Sequence, residues 1–254
     1  MKLRLDKLLL DRGLAPSRER AQAMILAGRV LINEQKVTKS GAQVEESAVI
    51  RLLGDDMPYV SRGGLKLERA LDLWKIDCDG KTCLDIGAST GGFTDCFLQH
   101  GAAQVIAIDT GYGQIDARLR NDPRVRLLER TNARYLEPGS LPEDVDIIAM
   151  DVSFISATLV LPAVLRAAQE GKPSHRRDLV VLVKPQFEVG RERVGKGGIV
   201  RDESAQQDAV EKIRAAVQQL GGQEMAVIDS PILGTEGNRE FLLHAVFGNS
   251  EEKR

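Results

Sequence analysis

The chain has 254 residues, of which 43% are hydrophobic and 28% charged, a composition typical of a globular protein rather than a disordered one. No stretch approaches the ~18 consecutive apolar residues of a membrane span, so the sequence argues against an integral membrane protein. The net charge is -2, but the charge is unevenly distributed, because the first 53 residues contain ten Lys and Arg and only six Asp and Glu. A basic module joined to an acidic one suggests contact with nucleic acid.

The N-terminal part reads as a small α+β module. We predict helices over residues 4–12 and, behind the N-cap residue Ser17, as far as Gly28, followed by strands over residues 29–32 and 49–53. About fifty residues bury little apolar area, which favours a docking module over a catalytic domain. A polar, breaker-rich segment follows. We place the module at residues 1–54 and a linker at 55–60.

After the linker, strands alternate with helices. A helix spans the segment around Leu67 and Trp74, and a later one residues 203–220. The predicted strands cover residues 82–87, 104–109, 125–129, 145–152, 179–184, 224–229 and 240–247. Their continuous apolar runs indicate strands covered on both faces, as in a Rossmann-like, doubly wound, mainly parallel α/β sheet. We predict one such domain over residues 61–248 and a tail over 249–254.

A glycine-rich loop follows the first of these strands and opens a helix, where such folds bind a nucleoside beyond the carboxyl ends of the strands. Its spacing is G-x-x-x-G-G rather than the G-x-G-x-x-G of dinucleotide enzymes. Asp109 ends the next strand, where a carboxylate would accept hydrogen bonds from ribose hydroxyls. S-adenosylmethionine fits this pattern because it has a ribose and no phosphate; a turn made only for packing is the alternative. The expected cofactor-binding residues are Asp85, Gly87, Ala88, Ser89, Thr90, Gly91, Gly92, Phe93 and Asp109.

A second glycine-rich stretch, residues 190–198, comes close to the nucleotide-binding pattern G-x-x-x-x-G-K-[ST]. It departs at the last position, because Lys196 is followed by Gly197, which has no hydroxyl for magnesium. We interpret it as a mobile loop at the mouth of the site rather than as a phosphate-binding loop.

Two charged residues end neighbouring strands on the expected ligand side. Asp151 and Lys184 close apolar strands, and each alone is compatible with a solvated strand end. Together behind a cofactor loop they indicate catalysis, since a hydroxyl is a poor nucleophile until a positioned base removes its proton. A lysine can be that base if its surroundings favour the neutral amine, and a carboxylate can orient it.

Seven blocks, taken in order, closely resemble the TlyA family over nearly the whole chain. They begin at Ser61 (SRGGLKL), Asp85 (DIGASTGGFT), Asp109 (DTGYGQ), Glu129 (ERTN), Asp151 (DVSFIS), Val183 (VKPQFE) and Gly237 (GNREFLL). Members of that family are known as haemolysins or as ribosomal RNA 2′-O-methyltransferases, and their catalytic domain is similar to the FtsJ (RrmJ) type. The resemblance implies a Lys-Asp-Lys-Glu tetrad at Lys66, Asp151, Lys184 and Glu240.

In that tetrad Lys184 would be the general base toward the ribose 2′-hydroxyl, with Asp151 and Glu240 setting its orientation and charge. Lys66 would hold the hydroxyl or a neighbouring phosphate, and its positive charge would favour the neutral amine of Lys184. The same resemblance puts Asn132 near the adenine. Without it, Lys66 reads as a surface lysine at a helix start and Glu240 as an edge-strand charge.

The N-terminal module resembles the S4-like RNA-binding domain shared by a ribosomal protein and many pseudouridine synthases, through the segments beginning at Arg4 (RLDKLL), Ser17 (SRERA) and Ala27 (AGRV). The resemblance implies a ribosomal RNA or ribosomal-subunit partner, contacted by Arg4, Lys7, Arg18, Arg20 and Arg29, together with Arg62 of the catalytic domain. No aromatic residue precedes Tyr59, so recognition of RNA shape is favoured over base stacking on this module.

Other readings of the sequence remain open. The haemolysin name suggests a membrane-lytic protein, which would need a secretion signal and an insertion element, and neither pattern is recognisable. A methyltransferase for a base or a small molecule is a further alternative, which the paired lysines disfavour. The three cysteines, Cys78, Cys83 and Cys96, form no zinc-binding pattern and no disulfide framework, so we expect a cytoplasmic protein without a metal.

Overall fold

The structure is a computed structural model, and it describes residues 2–15, 17–53, 57–141, 144–169, 175–234 and 236–248. The chain divides into two compact units, Met1–Met57 and Pro58–Arg254. Residues 55 and 56 of the predicted linker and the whole predicted tail, 249–254, lie outside the described residues. Among the described helices, none combines the length and the apolar character that a membrane span needs.

The first unit packs two helices around a small apolar core. These are α1 (Leu5–Asp11) and α2 (Arg18–Leu26). The Ser17 hydroxyl oxygen accepts a hydrogen bond from the Arg20 amide at 3.2 Å and so caps α2, as its residue type predicts. The buried side chains that form the core include Leu5, Leu8, Leu9, Ala21, Met24 and Ile25.

Among its described residues, this unit also has five short strands: β1 (Lys2–Arg4), β2 (Val30–Ile32), β3 (Gln35–Val37), β4 (Gln43–Glu45) and β5 (Ile50–Leu52). β1 pairs with β4, and β2 lies between β3 and β5. The prediction of a helix beginning at residue 4 is therefore wrong at its start, because Arg4 pairs with Gln43 across the unit. Helical periodicity cannot reveal such a long-range pairing, and three-residue strands carry little periodic signal of their own.

The second unit is built on one seven-stranded, mainly parallel sheet, which confirms the predicted fold class. Its strands are β6 (Thr82–Ile86), β7 (Gln104–Ile108), β8 (Val125–Leu128), β9 (Ile147–Met150), β10 (Arg177–Val183), β11 (Gln223–Asp229) and β12 (Phe241–Phe247). Their order is β11-β12-β10-β9-β6-β7-β8. The five strands from β10 to β8 are parallel, whereas β12 runs antiparallel to both of its neighbours.

Helices cover both faces of this sheet. They are α3 (Gly63–Trp74), α4 (Gly92–Gln99), α5 (Ala117–Arg120), α6 (Leu161–Gln169), α7 (Pro185–Glu188) and α8 (Glu203–Gln219). One buried cluster joins Leu84 of β6 to side chains of α6 and α8, and a second joins Cys83, which points to the opposite face, to side chains of α3 and α4. Alternate residues of each strand are thus buried on opposite faces, which explains the continuous apolar runs in the sequence.

Strand direction brings several loops to one edge of the sheet. The carboxyl ends of β6, β7, β9 and β10 meet there because these strands are parallel. β12 is antiparallel to β10, and its first residue, Phe241, pairs with Val183, the last residue of β10. The amino end of β12 therefore joins the same edge and brings Glu240 beside Lys184.

Candidate active site

The glycine-rich loop after β6 is held tightly against the neighbouring strands. The amides of Gly87 and Ala88 donate to the carbonyl of Ile108 at 2.9 and 3.2 Å. Gly87 has a positive φ of 86°, and a Cβ there would collide with the backbone carbonyl of Asp151. Because glycine has no Cβ, Gly87 allows this close approach of the two loops.

A cavity of about 300 Å³, the first cavity, opens between this loop, α3 and the ends of β9, β10 and β12. All four residues of the predicted tetrad line it. The full lining is Ser61, Arg62, Gly63, Lys66, Gly87, Ala88, Ser89, Thr90, Gly92, Phe93, Asp151, Ser153, Lys184 and Glu240. Residues 61–66, 87–93, 151–153, 184 and 240 are thus gathered from five separate parts of the chain.

The four tetrad side chains form two ion pairs. Lys66 Nζ donates a hydrogen bond to Glu240 Oε2 at 2.5 Å, and both side chains are at most 10% exposed. Lys184 Nζ lies 2.5 Å from Asp151 Oδ1. This second contact is an ion pair without hydrogen-bond alignment, because Asp151 Oδ1 has no hydrogen-bond partner among the described residues. Glu240 contacts Lys66 rather than Lys184, so each amine has a carboxylate of its own.

A second cavity, of about 290 Å³, adjoins the first. The two share Gly87, Ser89, Asp151 and Ser153 in their linings. The second is further lined by residues that follow β7, β8 and β9, among them Asp109, Thr110, Gln114, Thr131, Asn132, Val152, Phe154 and Ile155. A ligand that spans both cavities would therefore run along the glycine-rich loop.

Asp109 and Asn132 both line the second cavity while holding backbone in place. Asp109 accepts hydrogen bonds from the amides of Ser89 at 2.8 Å and Gly111 at 2.6 Å, one on each carboxylate oxygen. Asn132 Oδ1 accepts from the Arg134 amide at 3.0 Å and caps a short 3-10 helix, Ala133–Tyr135. Each carboxylate oxygen keeps a second lone pair, so Asp109 could still accept hydroxyl donors.

Two residues expected to bind cofactor, Asp85 at the end of β6 and Gly91 in the loop, line neither cavity. Asp85 is fully buried, and its Oδ2 accepts a hydrogen bond from Thr94 Oγ1 at 2.6 Å. Burial raises the pKa of Asp85 to about 7, against the opposing effect of the Thr94 hydrogen bond. Gly91, with φ of 95°, faces Leu119 and Ile115. Both residues therefore contact other parts of the second unit instead of the cavities.

The segment after β9 supplies two residues that the sequence argument did not single out. Ser153 Oγ accepts a hydrogen bond from Lys184 Nζ at 2.7 Å. Phe154 is 93% exposed at a positive φ of 66°, with its ring centroid 5.3 Å from that of Phe187. A bulky residue with positive φ is uncommon, and an aromatic side chain this exposed is seldom there for packing. Only their place directly after Asp151 marked these residues in the sequence.

The stretch over residues 190–198, predicted to be a mobile loop, includes a short turn and is hydrogen-bonded at its carboxyl end. Residues Arg191–Arg193 form a 3-10 turn. Asn238, which is 1% exposed, donates from Nδ2 to the Gly198 carbonyl at 2.9 Å and accepts from the Val200 amide at 2.9 Å. These bonds tie the stretch to the segment that precedes β12, so it is anchored close to Glu240.

Two of the basic side chains predicted to contact RNA, those of Arg4 and Arg18, bond to a buried carboxylate. Asp6 accepts hydrogen bonds from Arg4 Nε at 3.0 Å, from Arg18 Nε at 3.1 Å and from Gln22 Nε2 at 2.9 Å. The Arg4 contact holds the pKa of Asp6 well below its usual range. Arg29 donates to the Leu53 carbonyl at 3.1 Å. Arg4 and Arg18 remain about half exposed, so Asp6 fixes their direction without covering them.

Comparisons with known proteins agree with this architecture. The FtsJ-like methyltransferase model matches residues 59–247, and the S4 domain model matches residues 3–50. The chain is 45% identical over 241 residues to the 16S/23S rRNA (cytidine-2′-O)-methyltransferase TlyA of Mycobacterium tuberculosis, covering 94% of this chain and 88% of that one. It is 39% identical over 245 residues to Hemolysin A of Brachyspira hyodysenteriae, covering 96% and 100%.

A solved structure of a candidate hemolysin from Streptococcus thermophilus matches with a TM-score of 0.74 and 41% identity, over 98% of this chain and 90% of that one. This agreement spans both units. The chain therefore belongs to the FtsJ-like methyltransferase family, carries an N-terminal S4 domain and is related to TlyA, as its sequence predicted.

Proposed function

We propose that this protein transfers the methyl group of S-adenosylmethionine to a ribose 2′-hydroxyl of structured ribosomal RNA. The observation that carries the proposal is the first cavity, where two lysine amines, each beside its own carboxylate, adjoin a second cavity with an acidic residue at the end of β7. Related TlyA is named as a ribosomal RNA cytidine-2′-O-methyltransferase.

The residues of the second cavity suit S-adenosylmethionine. Asp109 presents carboxylate lone pairs for ribose hydroxyls, and apolar Ile86, Ile108 and Val160 offer a surface for the adenine. Gly87 leaves room at the junction, where a Cβ would obstruct the backbone. When bound, the cofactor supplies an electrophilic methyl group on a sulfonium sulfur. The first cavity would then receive that methyl group and the RNA ribose.

Lys184 is the best-placed general base. A ribose hydroxyl becomes a good nucleophile only as its proton leaves, and a positioned amine can take that proton. Lys184 is 11% exposed and lies beside Asp151, which stabilises the ammonium formed on proton transfer. Lys66, held by Glu240 in the same cavity, supplies a second cation for the ribose or the adjoining phosphate. A ring nitrogen already carries a lone pair, so these amines favour an oxygen as the methyl acceptor.

RNA contacts come from both units. Arg4, Lys7, Arg18, Arg20 and Arg29 of the S4 domain would contact phosphates, which gives affinity with little sequence choice. Arg62, in the lining of the first cavity, would contact a phosphate close to the reacting ribose. The exposed ring of Phe154, beside the second cavity, is suited to stack on an unpaired base.

The test replaces Lys184 by alanine. We expect Lys184→Ala to lower methyl transfer by about 10²- to 10⁴-fold, the usual contribution of a general base. The dissociation constant for S-adenosylmethionine should change by less than about threefold, since Lys184 lies outside the second cavity. Ribosomal RNA is incubated with labelled cofactor, digested to nucleosides and analysed by mass spectrometry for 2′-O-methyl products.

Lys81→Ala is the matched control, because Lys81 precedes β6 at the opposite edge of the sheet. It should retain full activity. Label found on a base instead of a ribose would exclude the proposed reaction, and turnover retained in Lys184→Ala would exclude Lys184 as the base.

A further inference from the structure

The Lys184 amine has two neighbours of different kinds. Ser153 Oγ accepts a hydrogen bond from Nζ at 2.7 Å. Asp151 Oδ1 lies 2.5 Å from the same nitrogen but makes no aligned hydrogen bond among the described residues. Within the described part of the chain, Ser153 is therefore the side chain that makes a directional contact with this amine.

Direction matters because a base acts through its lone pair. A neutral amine has two N–H bonds and one lone pair, and rotation about the Cε–Nζ bond can point that lone pair in three ways. An ion pair depends mainly on distance and fixes this rotation poorly, whereas a hydrogen bond weakens steeply as it bends. When one N–H bond of Lys184 points at Ser153, the lone pair can occupy only the other two of the three positions.

We infer that Ser153 is a positioning residue that turns the lone pair of Lys184 toward the substrate hydroxyl. The inference rests on the proposed function. In the step itself the 2′-hydroxyl proton passes to Lys184 Nζ while the oxygen takes the methyl group from sulfur. Ser153 accepts the same hydrogen bond before and after, and it neither gains nor loses a proton.

The chain segment that carries Ser153 is anchored to α7. The segment from Asp151 to Ser156 is anchored at its far end, where Ser156 Oγ donates to Glu188 at 2.5 Å and the Ala157 amide donates to the same carboxylate at 2.7 Å. Glu188 lies in α7, directly after Lys184 and Pro185. The segments that carry Ser153 and Lys184 are thus tied together, and Ser153 lines both cavities at their junction.

The experiment compares Ser153→Ala with Ser153→Thr, which keeps the hydroxyl. Ser153→Ala should lower kcat by roughly 10- to 100-fold, the scale of a misoriented catalytic group. The KM for RNA and the dissociation constant for S-adenosylmethionine should stay within about twofold, and Ser153→Thr should restore most of kcat. Ser230→Ala is the matched control, since its hydroxyl donates to the Ile232 carbonyl at 2.8 Å outside both cavities.

A second measurement needs neither RNA nor cofactor. The NMR order parameter of the Lys184 Cε group, assigned with Lys184→Arg, should be high in the wild type and in Ser153→Thr and lower in Ser153→Ala. An unchanged order parameter or an unchanged kcat in Ser153→Ala overturns the inference, as does an equal loss of kcat in both Ser153 variants. A wild-type protein that methylates no ribose hydroxyl overturns the proposed function, and the inference with it.

Discussion

Asp85 shows how one buried carboxyl group can couple stability to pH. Its pKa of about 7 lies above the ordinary value of 3.8, chiefly because burial disfavours the charged form. Between these values the folded state binds more protons than the unfolded state, so the free energy of unfolding falls as pH rises from about 4 to about 7. Above the folded pKa the cost of a buried charge is fully present.

We predict that Asp85→Asn removes this contribution. Asparagine is nearly isosteric and uncharged, so its free energy of unfolding relative to the wild type should increase between pH 5 and pH 8. Urea unfolding at both pH values measures the difference. Asp122→Asn, at a carboxylate that pairs with Arg124 outside the core, should not reproduce this trend. Parallel pH profiles for Asp85→Asn and the wild type would contradict the argument.

At the scale of single residues, the sequence predicted which residues lie near the site better than it predicted where their side chains point. Three of the four residues predicted to be catalytic, Asp151, Lys184 and Glu240, lie directly beside strand ends, which are readable from apolar runs, whereas Lys66 lies within α3. Asp85 is different, since it lies within β6 and shares a face with Cys83 beneath α4. The sequence motif that begins at Asp85 identifies the glycine-rich loop. The direction of the Asp85 side chain is set instead by the two-residue periodicity of the strand.

Among the elements, α7 and the segment after β9 are joined by one carboxylate. Glu188 accepts hydrogen bonds from Ser156 Oγ at 2.5 Å and the Ala157 amide at 2.7 Å, and it lies 3.3 Å from Lys212 Nζ of α8. Its side chain is 3% exposed. The elements that carry Asp151 and Lys184 are therefore linked to α8 through a buried carboxylate.

We predict that Glu188→Ala lowers the free energy of unfolding by about 1–3 kcal/mol. The variant leaves the buried amide of Ala157 without its acceptor, which has a cost of that order. Denaturation in urea measures the change. The comparison is Glu211→Ala in α8. The ion pair of Glu211 with Arg214 is about half exposed and should contribute less than about 0.5 kcal/mol. Equal stabilities of the two variants would show that Glu188 does not link these elements.

The sequence could not reveal this link, because Glu188 and Ser156 are 32 residues apart. The order of the parallel strands was likewise inaccessible, although their existence was clear from apolar runs. The fold class followed from alternation of strands and helices, whereas β1, β3 and β4 escaped notice because each has only three residues. Long-range pairing defines such strands, and a local pattern holds no record of it.

For the whole molecule, the proposed function assigns most of the RNA affinity to the S4 domain and the chemistry to the methyltransferase domain. Asp6 accepts a hydrogen bond from Nε of Arg18, and the Arg18 side chain remains about half exposed and accessible to a phosphate. A phosphate contact made by such a group releases counterions, and each contact therefore steepens the dependence of RNA affinity on salt. In the proposed function, catalytic turnover depends instead on Lys184 and its neighbours in the first cavity.

We predict that the double variant Arg18→Ala and Arg20→Ala weakens RNA binding and lowers the slope of log Kd against log salt by about 1 to 2, as expected for one or two lost phosphate contacts. Its kcat at saturating RNA should remain near that of the wild type, while KM rises. Arg51→Ala is the control, because Glu34 already pairs with that guanidinium at 2.5 Å. An unchanged slope would show that these arginines do not contact RNA phosphates. A large fall in kcat would mean that the S4 domain takes part in the chemical step, because saturating RNA overcomes a loss of affinity alone.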